Sequence, residues 1–334
     1  MKRLLATSAL AIAVMGVGST AFAQNIFALV PKNMNNPFFD QARDGCKKAE
    51  AESGGKFVCE YIGPGEHGGG DEQVQIVQDL IARGDVKGIA VSPSNAAAMA
   101  VALQAAKDAG IPALTWDSDL LPENQDLRVA YIGTHNYEIG TNLAKLAMAI
   151  KPEGGTVCIQ SGGAAASNHN ERMQGIRDTL AGVTGTTPPG NALAGENGWT
   201  EAEGCPLYTN DDFPLAVQQF QDYMEANPDL DAFVPTGGFP QFVPDANRAA
   251  VEPYKAKIAD GSLALVVADT LPTQIEQLKE GYSAGQVGQR PFEMGYQVML
   301  AFQQMADGGA APADPTYTGL DVCTPETADT CIAK

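Results

Sequence analysis

Two carboxylates close apolar runs in this chain: Asp117 after ALTW and Asp269 after ALVVA. A separated pair of acids suits two kinds of chemistry. They could divide acid and base roles at a glycosidic bond, which needs a set separation and one raised pKa. As ionised groups they could instead accept hydrogen bonds from the hydroxyls of a bound polyol, beside an arginine that donates in a planar fork; Arg172 is the candidate. Near the start, VPKNMNNPFFDQ (Val30 to Gln41) sets Phe38 and Phe39 side by side where a helix begins. Helical neighbours lie about 100° apart, so one ring packs inward while the other is free to face a cleft. Aromatic faces cover the C–H groups of a sugar, while carboxylates and amides satisfy its hydroxyl rim. The plainer reading is that both rings staple the helix start to the core.

Other residues have plainer readings too. Asp117 and Asp269 could be ordinary loop acids, and Arg172 could pair with Glu171 or Asp178 on a solvated face. Asn168 and Asn170 read as helix caps. His169 lies near the candidate site without an assigned role, and His135 reads as structural. GPGEHG (Gly63 to Gly68) fits a dinucleotide-binding fingerprint, but the next strand, GIAVSP, ends without the acid that would hold a ribose. The following GGGDE reads as a loop with Asp71 as N-cap. GYSAG (Gly281 to Gly285) fits a hydrolase elbow, which requires strand, turn, helix; here the order is helix, turn, strand, so Ser283 is no nucleophile. No cofactor or metal is expected.

The elements that must position these groups alternate. Strand-like runs are 26–30, 57–62, 88–91, 113–116, 129–132, 156–160, 232–234, 263–268 and 285–287. Helical patterns cover 71–81, 96–109, 137–150, 171–180, 215–226, 245–258, 273–280 and 292–307. Near-continuous apolar strands alternating with helices imply parallel α/β sheets buried on both faces. Two open sheets or one barrel would satisfy the count. Open sheets bind ligands beyond the carboxyl ends of their strands. Asn35-Asn36, Asp117, Thr134, the 168–172 segment and Asp269 all fall there. No long internal repeat aligns, and no Ser- or Pro-rich linker separates domains, so any boundary is a short crossover.

The chain has 334 residues and a formal charge of −19, or −21 without Lys2 and Arg3. Such acidity disfavours nucleic acid and anionic lipid as partners. Lys2-Arg3, the apolar run from Leu4 to Val17 and Ala21-Phe22-Ala23 read as a secretory signal peptide, with the mature chain starting at Gln24. No later segment is apolar for long enough to span a bilayer. Export favours disulfides among Cys46, Cys59, Cys158, Cys205, Cys323 and Cys331. Six cysteines allow fifteen pairings. Neighbours (46–59, 158–205, 323–331) are the preferred set, with the tail pair open, and the C-x2-C spacing of a zinc site is absent.

Taken in order, NNPFF, TWDSD, YIGTHN, NERMQG, VVADT and VGQRPFEMG resemble the periplasmic sugar-binding proteins of ABC importers, of the ribose, xylose and galactose type, over essentially the whole mature chain. The resemblance implies an α/β fold of two doubly wound parallel-sheet lobes joined by three crossover strands, the type I periplasmic binding protein fold. The first lobe would hold 24–134 plus 290–318, the second 135–289 plus 319–334. It implies a monomeric receptor that closes on a neutral monosaccharide or polyol and delivers it to a membrane permease. By the same resemblance Asn36, Phe38 and Phe39 are first-lobe sugar contacts, Asp117 a hydroxyl acceptor, Thr134 a crossover hydroxyl, Arg172 a donor, Phe213 a second-lobe aromatic, and Asp269 and Gln289 the late carboxylate and amide; Asn168 joins the candidate set. The chain departs from the ribose pattern in three places. Ser118 follows Asp117 where relatives carry arginine, Thr236 or Gly237 replaces an asparagine, and Ala268 replaces an aromatic. These changes imply a ligand other than ribose. Two acids against one arginine favour a neutral ligand. The alternatives are a sugar or furanosyl-signal receptor feeding a sensor or chemoreceptor, and an exported glycoside hydrolase.

Overall fold

The computed structural model describes residues 24–332; the expected signal peptide and its cleavage site, and the last two positions of the tail, lie outside the described residues. The chain starts with β1 (Asn25–Val30), α1 (Pro37–Glu52), β2 (Phe57–Tyr61), α2 (Asp71–Arg83), β3 (Val86–Val91), α3 (Ala96–Asp108), β4 (Ala113–Trp116) and β5 (Ala130–Gly133). It continues through α4 (Asn136–Ile150), β6 (Gly155–Ser161), α5 (Ser167–Ala181), β7 (Trp199–Glu201), β8 (Leu207–Tyr208), α6 (Phe213–Ala226) and β9 (Ala232–Pro235). It ends with α7 (Pro244–Val251), α8 (Lys255–Ala259), β10 (Ala264–Ala268), α9 (Pro272–Lys279), β11 (Gly285–Gly288), α10 (Pro291–Ala306), β12 (Thr316–Tyr317) and β13 (Asp321–Cys323).

Two open sheets form, not a barrel. The first has the order β12-β5-β4-β3-β1-β2 and the second β13-β11-β10-β9-β6-β7, with β8 beside β6. All pairings are parallel except that of β13 with β11. Alternation along the strands explains the double cover. On β1, Phe27 and Leu29 pack under α1 and α10, while Ala28 and Val30 pack under α2 and α3. On β10, Val266 joins the α4 and α5 side, and Leu265 and Val267 join the α6 and α7 side. The chain passes between the lobes three times: after β5, after β11 and after β12. Among the described residues no helix is long and apolar enough to cross a membrane.

Each lobe packs one helix pair through glycines. A Cβ on Gly45 of α1 would lie 2.0 Å from the Phe292 carbonyl oxygen, and a Cβ on Gly140 of α4 would lie 2.0 Å from that of Arg172. Only glycine permits these approaches. The second one sets the height of Arg172. The disulfides are Cys46–Cys59, Cys158–Cys205 and Cys323–Cys331. Each lies within one lobe or its tail, so none ties the lobes together.

Three local expectations are corrected. The helix expected over 245–258 breaks into α7 and α8 around Glu252-Pro253-Tyr254, because Pro253 lacks the amide hydrogen that would continue the ladder. Helix α5 starts at Ser167, four residues early, so Asn168 and Asn170 sit inside its first turn and are not caps. Gly70, at φ 100°, takes the cap position that Asp71 was expected to hold. The short strands β7, β8, β12 and β13 carry no apolar run long enough to mark them in the sequence.

Candidate functional site

Both sheets change direction beside their first strand: β1 lies between β2 and β3, and β6 between β7 and β9. The carboxyl ends of the strands around these switch points face each other across the cleft, the usual place for a ligand in open α/β sheets. There a narrow cavity is lined from the first lobe by Lys32, Asn36, Phe38, Phe39 and Asp117. Asn168, His169, Arg172, Asp211, Gly237, Phe239, Phe242, Asp269 and Gln289 complete it.

Asn36 caps α1, its side chain accepting from the Phe38 amide at 2.9 Å, and Pro37 opens the helix. The cap aims both rings. Phe38 and Phe39 meet edge to face at 5.2 Å, and Phe39 meets Trp116 edge to face at 5.5 Å. Both rings belong to the first-lobe core and both line the cavity, so the expected division of one inward and one outward is replaced by shared duty.

Asp117, Asp211 and Asp269 are buried carboxylates with positive φ: 59°, 58° and 71°. Non-glycine residues rarely adopt this conformation, and held strain of this kind clusters at functional sites. Asp117 accepts from Ser92 Oγ at 2.7 Å, but its other neighbours stand off: Arg172 Nη2 at 3.6 Å, Lys32 Nζ at 3.8 Å and Asn168 Nδ2 at 3.4 Å. Arg172 donates from Nε to Asn136 at 2.9 Å and from Nη1 to the Thr236 carbonyl at 2.9 Å, while Nη2, fully buried, has no hydrogen-bond partner. Gln289 Nε2 donates to Asp269 at 2.7 Å, and its Oε1 is unpartnered. Burial pushes the Asp269 carboxyl up, with Arg172 and the Gln289 bond opposing. Burial pushes the Lys32 ammonium down, against the pull of Asp117, Asp211 and Asp269; its Nζ donates to Asn168 Oδ1 at 2.8 Å.

Asp211 lies between two imidazoles, His169 Nε2 at 3.5 Å and His67 Nε2 at 3.5 Å. Burial lowers both histidines, His169 to about 4, so both are neutral at pH 7. Burial alone would raise Asp211, but the neighbouring His169, His67 and Lys32 outweigh it and hold the carboxyl low. Among the described residues no group of three or more His, Cys, Asp or Glu is placed to hold a metal ion.

Of the residues expected from the sequence, Asn36, Phe38, Phe39, Asp117, Asn168, Arg172, Asp269 and Gln289 meet at the cavity. Thr236 stands at its wall, its Oγ1 3.0 Å from His169 Nδ1, while Gly237 lines the cavity. Three others are placed elsewhere. Ser118 is turned to Ser167 Oγ at 3.2 Å, bridging the lobes beside the cavity. Thr134 lines a pocket on the hinge side, and Phe213 lines a neighbouring chamber while touching Phe242 edge to face at 5.3 Å. Lys32, Asp211, Phe239 and Phe242 were not anticipated, and His169 was set aside. Lys32 directly follows the first apolar strand, a position the open-sheet rule marks, so the signal was present. Asp211 sits in an irregular loop after the two-residue β8, where no pattern marks it. Ser283 is buried in hydrogen bonds to Gln241 and Gln286, away from any nucleophilic setting.

A model of the periplasmic binding protein domain matches residues 27–310. The chain is 31% identical over 179 residues to the ribose import binding protein RbsB of Escherichia coli (strain K12), which is 53% of this chain and 57% of that protein. It therefore spans little more than half the length of the curated relatives it matches. Among solved structures it is similar to a solute-binding protein of an ABC transporter from Burkholderia graminis C4D1M in complex with D-arabinose: 28% identity, TM-score 0.77, covering 93% of this chain and 98% of that one. GanP, a glucose-galactose binding protein from Geobacillus stearothermophilus, is 25% identical with TM-score 0.76, covering 91% and 99%.

Proposed function

The chain belongs to the periplasmic binding protein domain family, and from that premise we propose that it is an exported solute receptor. It captures a neutral monosaccharide or polyol between the lobes and delivers it to the permease of an ABC importer. The observation that carries this reading is the cavity between the lobes. It combines aromatic faces from Phe38, Phe39, Phe239 and Phe242 with buried charged groups that are incompletely bonded, above all Asp117 and the Arg172 Nη2. A sugar supplies what both lack: C–H faces for the rings, and hydroxyls that donate to the carboxylate and accept from the guanidinium. The charge balance agrees. Three carboxylates (Asp117, Asp211, Asp269) stand against two cations (Lys32, Arg172), which disfavours an anionic solute. That restates the two-against-one count taken from the sequence, with Asp211 and Lys32 added.

In this reading Asn36, Asn168, Asp269 and Gln289 complete the ligand set, and the lobes are 24–134 with 290–318 and 135–289 with 319–334. The three crossovers act as the hinge, and closure shifts a population toward the state that makes the cross-lobe contacts. The relatives' sugars, ribose and D-arabinose, make a pentose the first class to try. A thermal-shift screen of the chain from Gln24, refolded from denaturant to strip carried ligand, tests the reading against sugars, polyols, sugar acids and amino acids. A ligand at about 100 times its dissociation constant adds roughly 2.7 kcal/mol, a shift of several degrees. Shifts confined to sugar acids or amino acids would overturn the reading.

A further inference from the structure

Beside the inner cavity lies a second, larger chamber that shares Asp211 with it. The loop after β1 divides its side chains between the two: Lys32 and Asn36 line the inner cavity, Asn33 and Asn35 the outer chamber. The GPGEHG segment supplies Glu66 and His67 to the chamber wall. Phe213, expected as a sugar contact yet absent from the inner cavity, lines this chamber with Pro214.

The polar groups here are built but unsatisfied. Asn33 is fully buried, and neither its amide nitrogen nor its oxygen has a hydrogen-bond partner. The His67 side chain is 4% exposed, and neither ring nitrogen has a hydrogen-bond partner. Orphaned buried groups of this kind are costly unless something fills the space and bonds them. An amide and a neutral imidazole each offer one kind of donor and one acceptor, and a hydroxyl answers both. The Phe213 ring and Pro214 add the apolar wall that a carbohydrate's C–H face needs. Glu66, Asp211 and Asp212 line the same space and disfavour a phosphate or a uronate.

We propose that the chamber is a second subsite, so that the receptor binds its sugar more tightly when that sugar carries a second neutral, hydroxylated unit, as in a disaccharide or a glycosyl polyol. The first unit occupies the inner cavity, and the linkage passes beside Asp211. This rests on the receptor reading above.

The test is calorimetric titration of the refolded chain from Gln24. Matched probes are used: D-ribose, D-arabinose, D-xylose, D-glucose and D-galactose, each beside its methyl glycoside and a set of disaccharides containing it. At least one disaccharide should bind tenfold or more tightly than the monosaccharide it contains. Asn33→Leu should cut that advantage to threefold or less, with monosaccharide affinity unchanged. Asn35→Leu, at an exposed position of the chamber lining, should do the same and guards against misfolding of the buried variant. If monosaccharides bind and every larger probe is refused or gains nothing, or if both variants keep the advantage, only water fills the chamber and the subsite is overturned while the receptor reading stands. If no carbohydrate binds, the receptor reading falls and the subsite falls with it.

Discussion

Asp117 and Asp119 leave the same strand two residues apart, and both are buried, yet they serve opposite ends of the cleft. Asp119 is saturated. Arg128 grips it with Nε at 2.7 Å and Nη2 at 2.6 Å, Thr115 donates at 2.5 Å, and the Leu120 amide at 2.8 Å. Arg128 spends its remaining arm on Asp314 at 2.6 Å, from the segment before β12. Asp117, at φ 59°, has one short bond, a long one from Asn168 Nδ2 at 3.4 Å, and two cations held at 3.6 and 3.8 Å. A complete set of partners marks a group that holds the fold. An incomplete set, in a strained backbone and beside aromatic rings, marks a group waiting for one.

The largest effect that would break this comparison is on the saturated side. Arg128→Met leaves Asp119 and Asp314 uncompensated beside the crossovers and should cost about 3–5 kcal/mol. At roughly 2–4 °C per kcal/mol for a chain of this size class, melting should fall by about 10 °C. The affinity for whichever sugar the screen identifies should stay within about threefold, provided the variant is assayed well below its midpoint. A melting point within about 2 °C of wild type would mean that Arg128 is no more than a surface pair and that saturation is a poor guide.

Asp117→Asn should behave the other way. Losing hydrogen bonds to a charged acceptor costs about 1.5–3 kcal/mol, so sugar affinity should fall about 10- to 100-fold. Melting of the unliganded protein should move by no more than about 2 °C, since few short bonds are lost. Unchanged affinity in calorimetry would remove Asp117 from the site. Lys32→Met sharpens the same contrast at smaller scale. The ammonium already has Asn168 at 2.8 Å, so one ligand contact is at stake, and a loss of about tenfold in affinity is expected.

The sequence carried the periodic part of this molecule and little of the rest. Nine apolar runs predicted the nine main strands within a residue or two, because doubly buried strands are continuous and unmistakable. The two-lobe topology is a repeat of shape, with the order 2-1-3-4-5 built twice, yet no residue repeat marks it; the shared constraint is burial, which many sequences meet. At the site, residues next to a strand end or a helix start were legible: Asn36, Phe38, Phe39, Asp117, Asp269 and Gln289. Those set by loop geometry were not. Asp211 reaches the cavity from an irregular loop and Phe242 from a single 3-10 turn (Phe239–Phe242), and Thr134 and Phe213 line other pockets. Helix α5 was read four residues short because Ser-Asn-His-Asn looks like a cap, whereas Ala166 takes that place without a side-chain bond.

The remaining predicted effect lies on the hinge side and depends on pH. Glu171, on α5 one residue before Arg172, lines the hinge-side pocket with Asp119, Arg128 and Asp314. Burial pushes its carboxyl up to about 7; the charge of Asp119 adds to this and Arg172 opposes it. The ordinary value is 4.5. Between those two limits the folded chain binds more protons than the unfolded one, so this group makes stability fall as pH rises from about 4.5 to about 7. His169 acts in the opposite sense. Its folded value of about 4 lies below the ordinary 6.5, so its contribution is lost as pH falls through that window. The two slopes oppose each other in the wild type, and Glu171→Gln separates them. The melting point of Glu171→Gln minus that of wild type should be smallest near pH 4.5, grow with pH and level off above about 7.5. A difference that stays flat would mean that Glu171 titrates as an exposed acid, and that the hinge-side pocket is as open to solvent charge screening as the outer surface.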